Sequence, residues 1–259
     1  YEPKKFINKI FLKKDLSGVL FTGSSKVLEN IFKKTGENIH NMNNFPKIIG
    51  ESGGKNFHFV DDSYKNILSN SNDLEYVIEK TMESAFNFSG QKCSACSILY
   101  IPDNLIEDAK YLFNKKINYY MDSNENYGVI NKRSSNKLNK LIKNLKKDKD
   151  IEFILEGKNS NCYSYFIHPH IIICRNPNHY VFKDEFFGPI LAIYPYDEND
   201  LDTAVDICLN SNNYCLTGAI FSNNDKFIEE YTSKFKNKTG NFYINDKSTG
   251  SVVGQQPFG

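Results

Sequence analysis

Short apolar runs alternate with stretches of helical periodicity along most of this chain of 259 residues. Phe57–Val60 and Ile98–Ile101 each predict a strand, and the apolar side chains of residues 74–86 recur on one helical face between them. Asn72 is the predicted N-cap of that helix. Further strands are predicted at 151–155, 165–174, Ile190–Tyr194, Thr217–Phe221 and Asn241–Ile244. Each of the last two follows a predicted helix, the second of them built on Phe227, Ile228, Tyr231 and Phe235. This alternation favours an α/β architecture with a largely parallel sheet.

Composition excludes several classes of protein. The chain is 40% hydrophobic and 24% charged, which is typical of a globular protein, and its net charge of +1 gives no reason to expect nucleic acid or an anionic membrane as the main partner. No apolar run approaches the roughly 20 residues needed to cross a bilayer. The 6 cysteines are too sparse for a disulfide-stapled secreted domain, so we expect reduced thiols. The ends at Tyr1 and Gly259 suggest an interior piece of a longer polypeptide.

Cys93 is the first candidate for chemistry. It lies in the predicted loop between the 74–86 helix and the following strand, beside Lys92. The thiolate is the reactive form of cysteine, and a neighbouring cation favours it. The alternative is an ordinary core residue, since cysteine is commonly buried. These residues alone leave both interpretations open.

Two glycine-rich turns precede that loop. Gly18–Ser24 combines a strand, a turn and the start of a helix, an arrangement that can bind phosphate, although a plain helix capped by Ser24 is the more common structure. Glu51 stands just before Gly53 and Gly54, where a carboxylate could project into a cleft. Taken alone, Glu51 is more often a solvated loop acid.

Three other patterns favour a structural role over a functional one. His168 and His170 have the spacing of metal ligands, but no third ligand is evident, and we predict no metal site. The lysine-rich helix of residues 134–150 lacks the interleaved aromatic residues that stack on bases, so a solvated face is expected. Cys93 and Cys96 have CxxC spacing, but the first cysteine does not open a helix directly after a strand, which argues against a thiol–disulfide protein.

Four motifs in order carry a family resemblance: Gly23-Ser24, Glu51–Lys55, Gly90–Cys93 and Glu185–Pro189. The combination closely resembles the NAD-dependent aldehyde dehydrogenase superfamily. Three stretches are similar to its delta-1-pyrroline-5-carboxylate dehydrogenase branch: Gly50–Val60, Gly90–Cys96 and Gly240–Gly259. The resemblance extends from about Gly18 to the last residue.

The resemblance implies a three-layer α/β domain with a mostly parallel sheet, together with a remnant of a Rossmann-type NAD-binding domain. Residues 1–52 would end the NAD-binding domain, residues 53–245 would form the catalytic thiol domain, and residues 246–259 would form a substrate-anchoring loop. Relatives of this branch are commonly mitochondrial and oligomeric. A homo-oligomer in the mitochondrial matrix is therefore the implied state of the full-length enzyme.

The resemblance also implies catalytic roles. Cys93 would attack the aldehyde carbon, and its backbone N–H would donate to the oxygen on which negative charge develops. The family's second donor to that oxygen, an asparagine side chain, would lie upstream of this chain. Glu51 would act as general base for the water that hydrolyses the thioacyl enzyme.

For the cofactor NAD, the resemblance places Ser24 at the pyrophosphate, Glu185 at the nicotinamide ribose and Phe187 beside the nicotinamide ring. Gly53 fits where the backbone must approach the nicotinamide end. These four residues form the expected cofactor site.

The expected substrate is L-glutamate γ-semialdehyde, oxidised to L-glutamate in the second step of proline catabolism. Its carboxylate needs a cation or clustered donors, and Lys92, Ser94, Gly250 and Ser251 match the branch's contacts to that head group, with Phe258 as an apolar wall. An aldehyde dehydrogenase of another specificity and a catalytically silent domain are the alternatives.

Overall fold

The computed structural model describes residues 3–66, 72–122, 128–156, 165–252 and 254–255. The chain divides into two compact units, Tyr1–Gly53 and Gly54–Gly259. The predicted helix cap at Asn72 and the predicted substrate contact of Phe258 lie outside the described side chains. No helix in the described ranges is both long and apolar enough to span a membrane.

The first unit contains a two-stranded parallel sheet and two helices. Its elements are α1 (Pro3–Ile10), β1 (Gly18–Gly23), α2 (Ser25–Asn38) and β2 (Lys47–Ser52). Thr22 pairs with Glu51 and Gly23 pairs with Ser52. The carboxyl ends of the two strands therefore lie at the same edge, where β1 turns into α2 at Ser24.

Within the described part of the second unit, seven strands form one sheet in the order β5-β6-β7-β4-β3-β8-β9. The strands are β3 (Asn56–Val60), β4 (Cys96–Pro102), β5 (Ile151–Glu156), β6 (His170–Cys174), β7 (Ile190–Tyr196), β8 (Thr217–Phe221) and β9 (Asn241–Ile244). Neighbouring strands pair in parallel except β5, which is antiparallel to β6. The predicted, largely parallel sheet is confirmed.

Helices cover both faces of this sheet. They are α3 (Asn72–Phe86), α4 (Ile106–Asp122), α5 (Lys132–Leu145), α6 (Leu201–Asn210) and α7 (Asp225–Phe235). Apolar residues of α5, α6 and α7 pack in one buried cluster, and those of α3 and α4 pack in the other. The result is the three-layer arrangement that the family resemblance implied.

The central strand β3 shows how the two cores form. Successive side chains of a strand point to opposite faces, so Phe57 and Phe59 join the first cluster and Val60 joins the second. Phe59 stacks on Tyr100 at 5.8 Å between ring centroids. His58 shares the face of Val60 by the same alternation, and it is fully buried there.

One strand differs from its prediction. The apolar pattern predicted a strand over residues 165–174, but β6 begins only at His170. Pro169 has no backbone N–H to donate to a neighbouring strand, which accounts for the late start. The His170 N–H is the first to join the sheet, donating to the carbonyl oxygen of Pro189 at 2.9 Å.

Candidate active site

The loop that carries Cys93 begins with strained backbone. After α3 ends, Phe88 and Ser89 have φ angles of 55° and 57°, and Gly90 has a φ of 64°. Non-glycine residues rarely adopt this left-handed region, and such residues cluster at functional sites. Cys93 follows in the connection to β4, which begins at Cys96.

A second loop packs directly against this one. A Cβ atom built on Gly90 would lie 2.5 Å from the carbonyl oxygen of Gly188. Such a distance is far below ordinary contact, so only glycine permits this approach of the two backbones. The structure thus brings two predicted motifs together, the Cys93 loop and the loop of Glu185–Gly188.

Asn56 holds the Cys93 loop in place. Its side-chain Nδ2 donates to the carbonyl oxygens of Cys93 at 2.8 Å and of Ala95 at 2.9 Å. Its Oδ1 accepts from the backbone N–H of Thr217 at 3.0 Å. The Asn56 side chain therefore connects β3 to the Cys93 loop and to β8. Sequence reasoning assigned Asn56 no role. The available signal was an amide residue at the start of a strand whose other residues, apart from His58, are apolar.

The Cys93 thiol differs from the other described cysteines. Cys93 is half-buried, whereas Cys96, Cys174, Cys208 and Cys215 are buried, and none of the five forms a disulfide. Burial raises the pKa of the Cys96 thiol well above its usual range. A redox pair needs a second reactive thiol, and a buried Cys96 that holds its proton contradicts the thiol–disulfide alternative.

The second loop carries the predicted cofactor residues Glu185 and Phe187. Burial raises the pKa of the Glu185 carboxyl, and the charges of Lys55 and Lys137 oppose this rise. Phe187 is 46% exposed and has a φ of 54°, so it is a strained aromatic residue at the surface of the site.

Lys55 is a buried cation next to this loop. Its side chain is 1% exposed, and its Nζ has no hydrogen-bond partner among the described residues. The ammonium lies 4.1 Å from the centroid of the Phe186 ring. Burial, opposed by Glu185 and Asp184, lowers the pKa of Lys55 from 10.5 to about 7. Sequence reasoning did not identify this feature.

A cleft lies between the two loops. Its cavity volume is only about 20 Å³, and residues of both loops and of the starts of β3, β4 and β7 line it. Cys93 lies in the first loop but is not among the lining residues. Among the predicted residues, Lys92, Glu185 and Phe187 line it directly. The Lys92 ammonium also lies 4.7 Å from the centroid of the Phe88 ring. Ser94 lies in the Cys93 loop, and its carbonyl oxygen accepts from Thr217 Oγ1 at 3.0 Å.

The remaining predicted residues of the first unit lie at the carboxyl edge of its sheet. Ser24 is the N-cap of α2, but its side chain makes no capping hydrogen bond. Glu51 is half-buried near the end of β2, and its burial raises the pKa of its carboxyl. The carbonyl oxygen of the buried Gly53 is 3.5 Å from Ser25 Oγ.

The segment after β9 has no helix or strand in its described part, as predicted. Gly250 has a φ of 101°. Ser251 Oγ accepts from Asn241 Nδ2 at 2.9 Å and lies 2.7 Å from the hydroxyl of Tyr243. These bonds tie the Gly250-Ser251 turn to β9.

The described residues contain one group that could hold a metal ion by distance, Asp148, Asp150 and His179. His168 and His170 do not belong to it. Instead, the His170 imidazole bonds to backbone, with Nδ1 2.7 Å from the carbonyl oxygen of His168.

Known proteins with the same sequence pattern and fold were identified by comparison. The delta-1-pyrroline-5-carboxylate dehydrogenase of Dictyostelium discoideum, named as mitochondrial, is 40% identical over 258 residues, covering 96% of this chain and 45% of that protein. The human protein of the same name is 37% identical over 251 residues, covering 94% of this chain and 43% of its own length. This chain therefore spans a little under half the length of these relatives.

Solved structures agree in fold. The delta-pyrroline-5-carboxylate dehydrogenase of Mycobacterium tuberculosis with bound NAD superposes with a TM-score of 0.81 at 27% identity, over 96% of this chain and 45% of that one. The Thermus enzyme with bound NAD gives a TM-score of 0.81 at 28% identity, over 94% of this chain and 45% of that one. The aldehyde dehydrogenase family model matches residues 2–259. With the thiol loop, the three-layer fold and this match in agreement, the chain belongs to the aldehyde dehydrogenase family.

Proposed function

We propose that this chain carries the thiol half of an NAD-dependent dehydrogenase that oxidises L-glutamate γ-semialdehyde to L-glutamate. In this proposal residues 1–52 end the NAD-binding domain, residues 53–245 form the catalytic domain and residues 246–259 anchor the substrate. The identity of 40% to a delta-1-pyrroline-5-carboxylate dehydrogenase over 96% of the chain supports the choice of substrate.

The observation that carries the proposal is the cleft between the Cys93 loop and the loop of Glu185–Gly188. A nucleophile must be held at a defined position, and Asn56 holds the backbone on both sides of Ser94. The half-buried Cys93 thiol is the group in this loop suited to attack an aldehyde.

In the proposed reaction the Cys93 thiolate adds to the aldehyde carbon and forms a thiohemiacetal. The Cys93 backbone N–H then donates to the oxygen that gains negative charge. After oxidation, Glu51 takes a proton from the water that attacks the thioacyl carbon, and Cys93 leaves as a thiolate. The raised pKa of Glu51 suits this role, because a general base works best when its pKa is closer to the operating pH.

The described residues fit NAD. Helix α2 has no acidic residue in its first turn, and the Ser24 side chain does not occupy the N–H groups of that turn, so the helix start suits a pyrophosphate. Glu185 would bind the nicotinamide ribose, Phe187 would support the nicotinamide ring, and Gly53 would lie beside the same end. When bound, NAD supplies the acceptor for the hydride.

At the other end of the substrate, an amino acid head group needs partners for its carboxylate. Lys92 offers an ammonium at the cleft, and Ser94, Gly250 and Ser251 offer hydroxyl or backbone donors. Phe258 would provide an apolar wall. An aldehyde dehydrogenase for fatty or aromatic aldehydes would need an apolar mouth instead.

The test is NADH formation by the complete gene product with glutamate semialdehyde, propanal and hexanal. We expect a clear preference for the semialdehyde and loss of turnover in Cys93→Ala. Equal or faster rates with the simple aldehydes would contradict the substrate assignment.

A separate test addresses the general base. Glu51→Gln should slow deacylation while leaving a rapid first burst of NADH, because the first half-reaction does not need water. Loss of the burst as well as of turnover would contradict the assignment of Glu51.

The proposal extends to the cell. Relatives in Dictyostelium discoideum and Homo sapiens carry names that place them in mitochondria, which supports a mitochondrial matrix location for this protein. We also propose a homo-oligomer of the full-length enzyme. Fractionation and light scattering of the native protein would test these two points.

A further inference from the structure

A cluster of polar side chains lies inside the apolar core between the sheet and α3. It comprises His58 of β3, Thr81 and Ser84 of α3, and Ser248 of the segment that follows β9, and all four are 0% exposed. We call these residues the His58 cluster. Buried polar groups need partners, because an unpaired group loses its hydrogen bonds to water without replacing them. A cluster of four in such a core therefore requires an explanation.

Hydrogen bonds define which nitrogen of the His58 imidazole carries the proton. The Ser248 backbone N–H donates to His58 Nε2 at 3.3 Å, so this nitrogen carries no proton. The proton then lies on Nδ1, which donates to Thr81 Oγ1 at 2.9 Å. Burial lowers the pKa of His58 to about 3, which keeps this neutral form throughout the working range of an enzyme.

The cluster holds Ser248 beside β3, two strands away from β9, to which Ser251 returns. Strand β8 lies between β9 and β3, so the chain that leaves β9 at Ile244 must return past β8 to bring Ser248 to His58. Lys247 reinforces this return, because its Nζ lies 2.7 Å from Glu83 Oε2 of α3. The Gly250-Ser251 turn follows immediately.

The same cluster reaches the Cys93 loop. Ser84 Oγ accepts from the backbone N–H of Cys96 at 3.0 Å, and Cys96 is the residue at which the loop enters β4. Ser84 Oγ also lies 3.4 Å from Ser248 Oγ. The Cys93 loop and the segment that carries the Gly250-Ser251 turn are thus attached to one side chain of α3.

We propose that His58 is a positioning residue that sets the distance between the Gly250-Ser251 turn and Cys93, and thereby selects aldehydes that carry a carboxylate head group. This inference rests on the proposed function and adds a specificity determinant to it. A misplaced turn would weaken binding of the head group. It would leave the attack of Cys93 on a small aldehyde unaffected.

Two substitutions in the complete gene product test the inference. Ser248→Ala removes a hydroxyl from the cluster, and His58→Leu removes the imidazole. For the semialdehyde we expect KM to rise about tenfold in Ser248→Ala and more in His58→Leu, with kcat changed less than about threefold. For propanal, kcat/KM should stay within about twofold. His58→Gln, which can place a polar atom near the position of Nε2, should restore part of the lost affinity.

Ser222→Ala is the matched control. Ser222 is 1% exposed, and its Oγ donates to Asp61 Oδ2 at 2.6 Å, in a separate buried polar contact. This control should lower thermal stability without changing the ratio of kcat/KM for the semialdehyde to kcat/KM for propanal. The positioning role is wrong if Ser222→Ala shifts this ratio as much as Ser248→Ala does. It is also wrong if Ser248→Ala lowers kcat/KM equally for both aldehydes.

A measurement without substrate separates this inference from the proposed function. Amide hydrogen exchange over Lys247–Val252 should accelerate in Ser248→Ala and remain unchanged in Ser222→Ala. Unchanged exchange in Ser248→Ala would overturn the inference whatever the enzyme oxidises. The preference of the wild-type enzyme for the semialdehyde over propanal tests the proposed function alone.

Discussion

Replacing Lys55 by methionine should stabilise the protein. The Lys55 ammonium is buried without a hydrogen-bond partner among the described residues, and burial lowers its pKa from 10.5 to about 7. At about 1.36 kcal/mol per pKa unit, holding the proton in the folded state costs on the order of 4 kcal/mol at pH 7. Methionine fills a similar volume without charge but loses the contact of the ammonium with the Phe186 ring, worth about 1–2 kcal/mol. We therefore expect a net gain of about 2–3 kcal/mol.

The dependence on pH identifies the cause. Between the folded pKa of about 7 and the unfolded value of 10.5, the unfolded chain holds one more proton at Lys55 than the folded chain does. Stability of the wild-type protein therefore rises with pH in this window, by about 2 kcal/mol from pH 7 to pH 9 as the contribution of Lys55. Lys55→Met should lack this contribution.

Urea unfolding at pH 7 and pH 9 measures the free energy of unfolding, and its change with pH, for the wild-type protein and for Lys55→Met. Lys55→Arg is the control. Arginine stays charged in proteins, so this variant should be less stable than wild type at both pH values. A lower stability of Lys55→Met at pH 7, or the same rise with pH in both proteins, would refute the reasoning.

Three other predictions concern the Cys93 loop. Asn56→Ala removes three buried hydrogen bonds, so unfolding assays should show a loss of about 3 kcal/mol or more, and turnover of all aldehydes should fall together. Gly90→Ala should cost at least about 2 kcal/mol and lower kcat, because its φ of 64° and the nearby Gly188 backbone exclude a side chain. Gly36→Ala is its control: no atom lies within 4 Å of the added Cβ on α2, and a thermal melt should show a gain of about 0.5–1 kcal/mol. Cys96→Ser should retain turnover and the rate at which iodoacetamide alkylates Cys93, whereas loss of either would revive a redox role for the pair.

The sequence by itself determined the order of helices and strands in the second unit. Strands β8 and β9 match the ranges predicted from their apolar runs, and α7 buries the predicted Phe227, Tyr231 and Phe235. These predictions succeed because periodicity is a local property, which a few neighbouring residues express. The strand predicted over residues 165–174 begins only at His170, because Pro169 has no backbone N–H to donate to the sheet.

The family resemblance supplied the candidate nucleophile, but only the tertiary structure decided which polar side chains hold it. Asn56 and His58, both on β3, bond to residues 37 and 190 positions away. The Lys55 ammonium, which has no hydrogen-bond partner among the described residues, lies against the ring of Phe186, 131 positions away. Contacts over such separations depend on the order of strands in the sheet and on the return of the chain after β9. No local pattern of residues encodes either, because each depends on how the whole second unit folds.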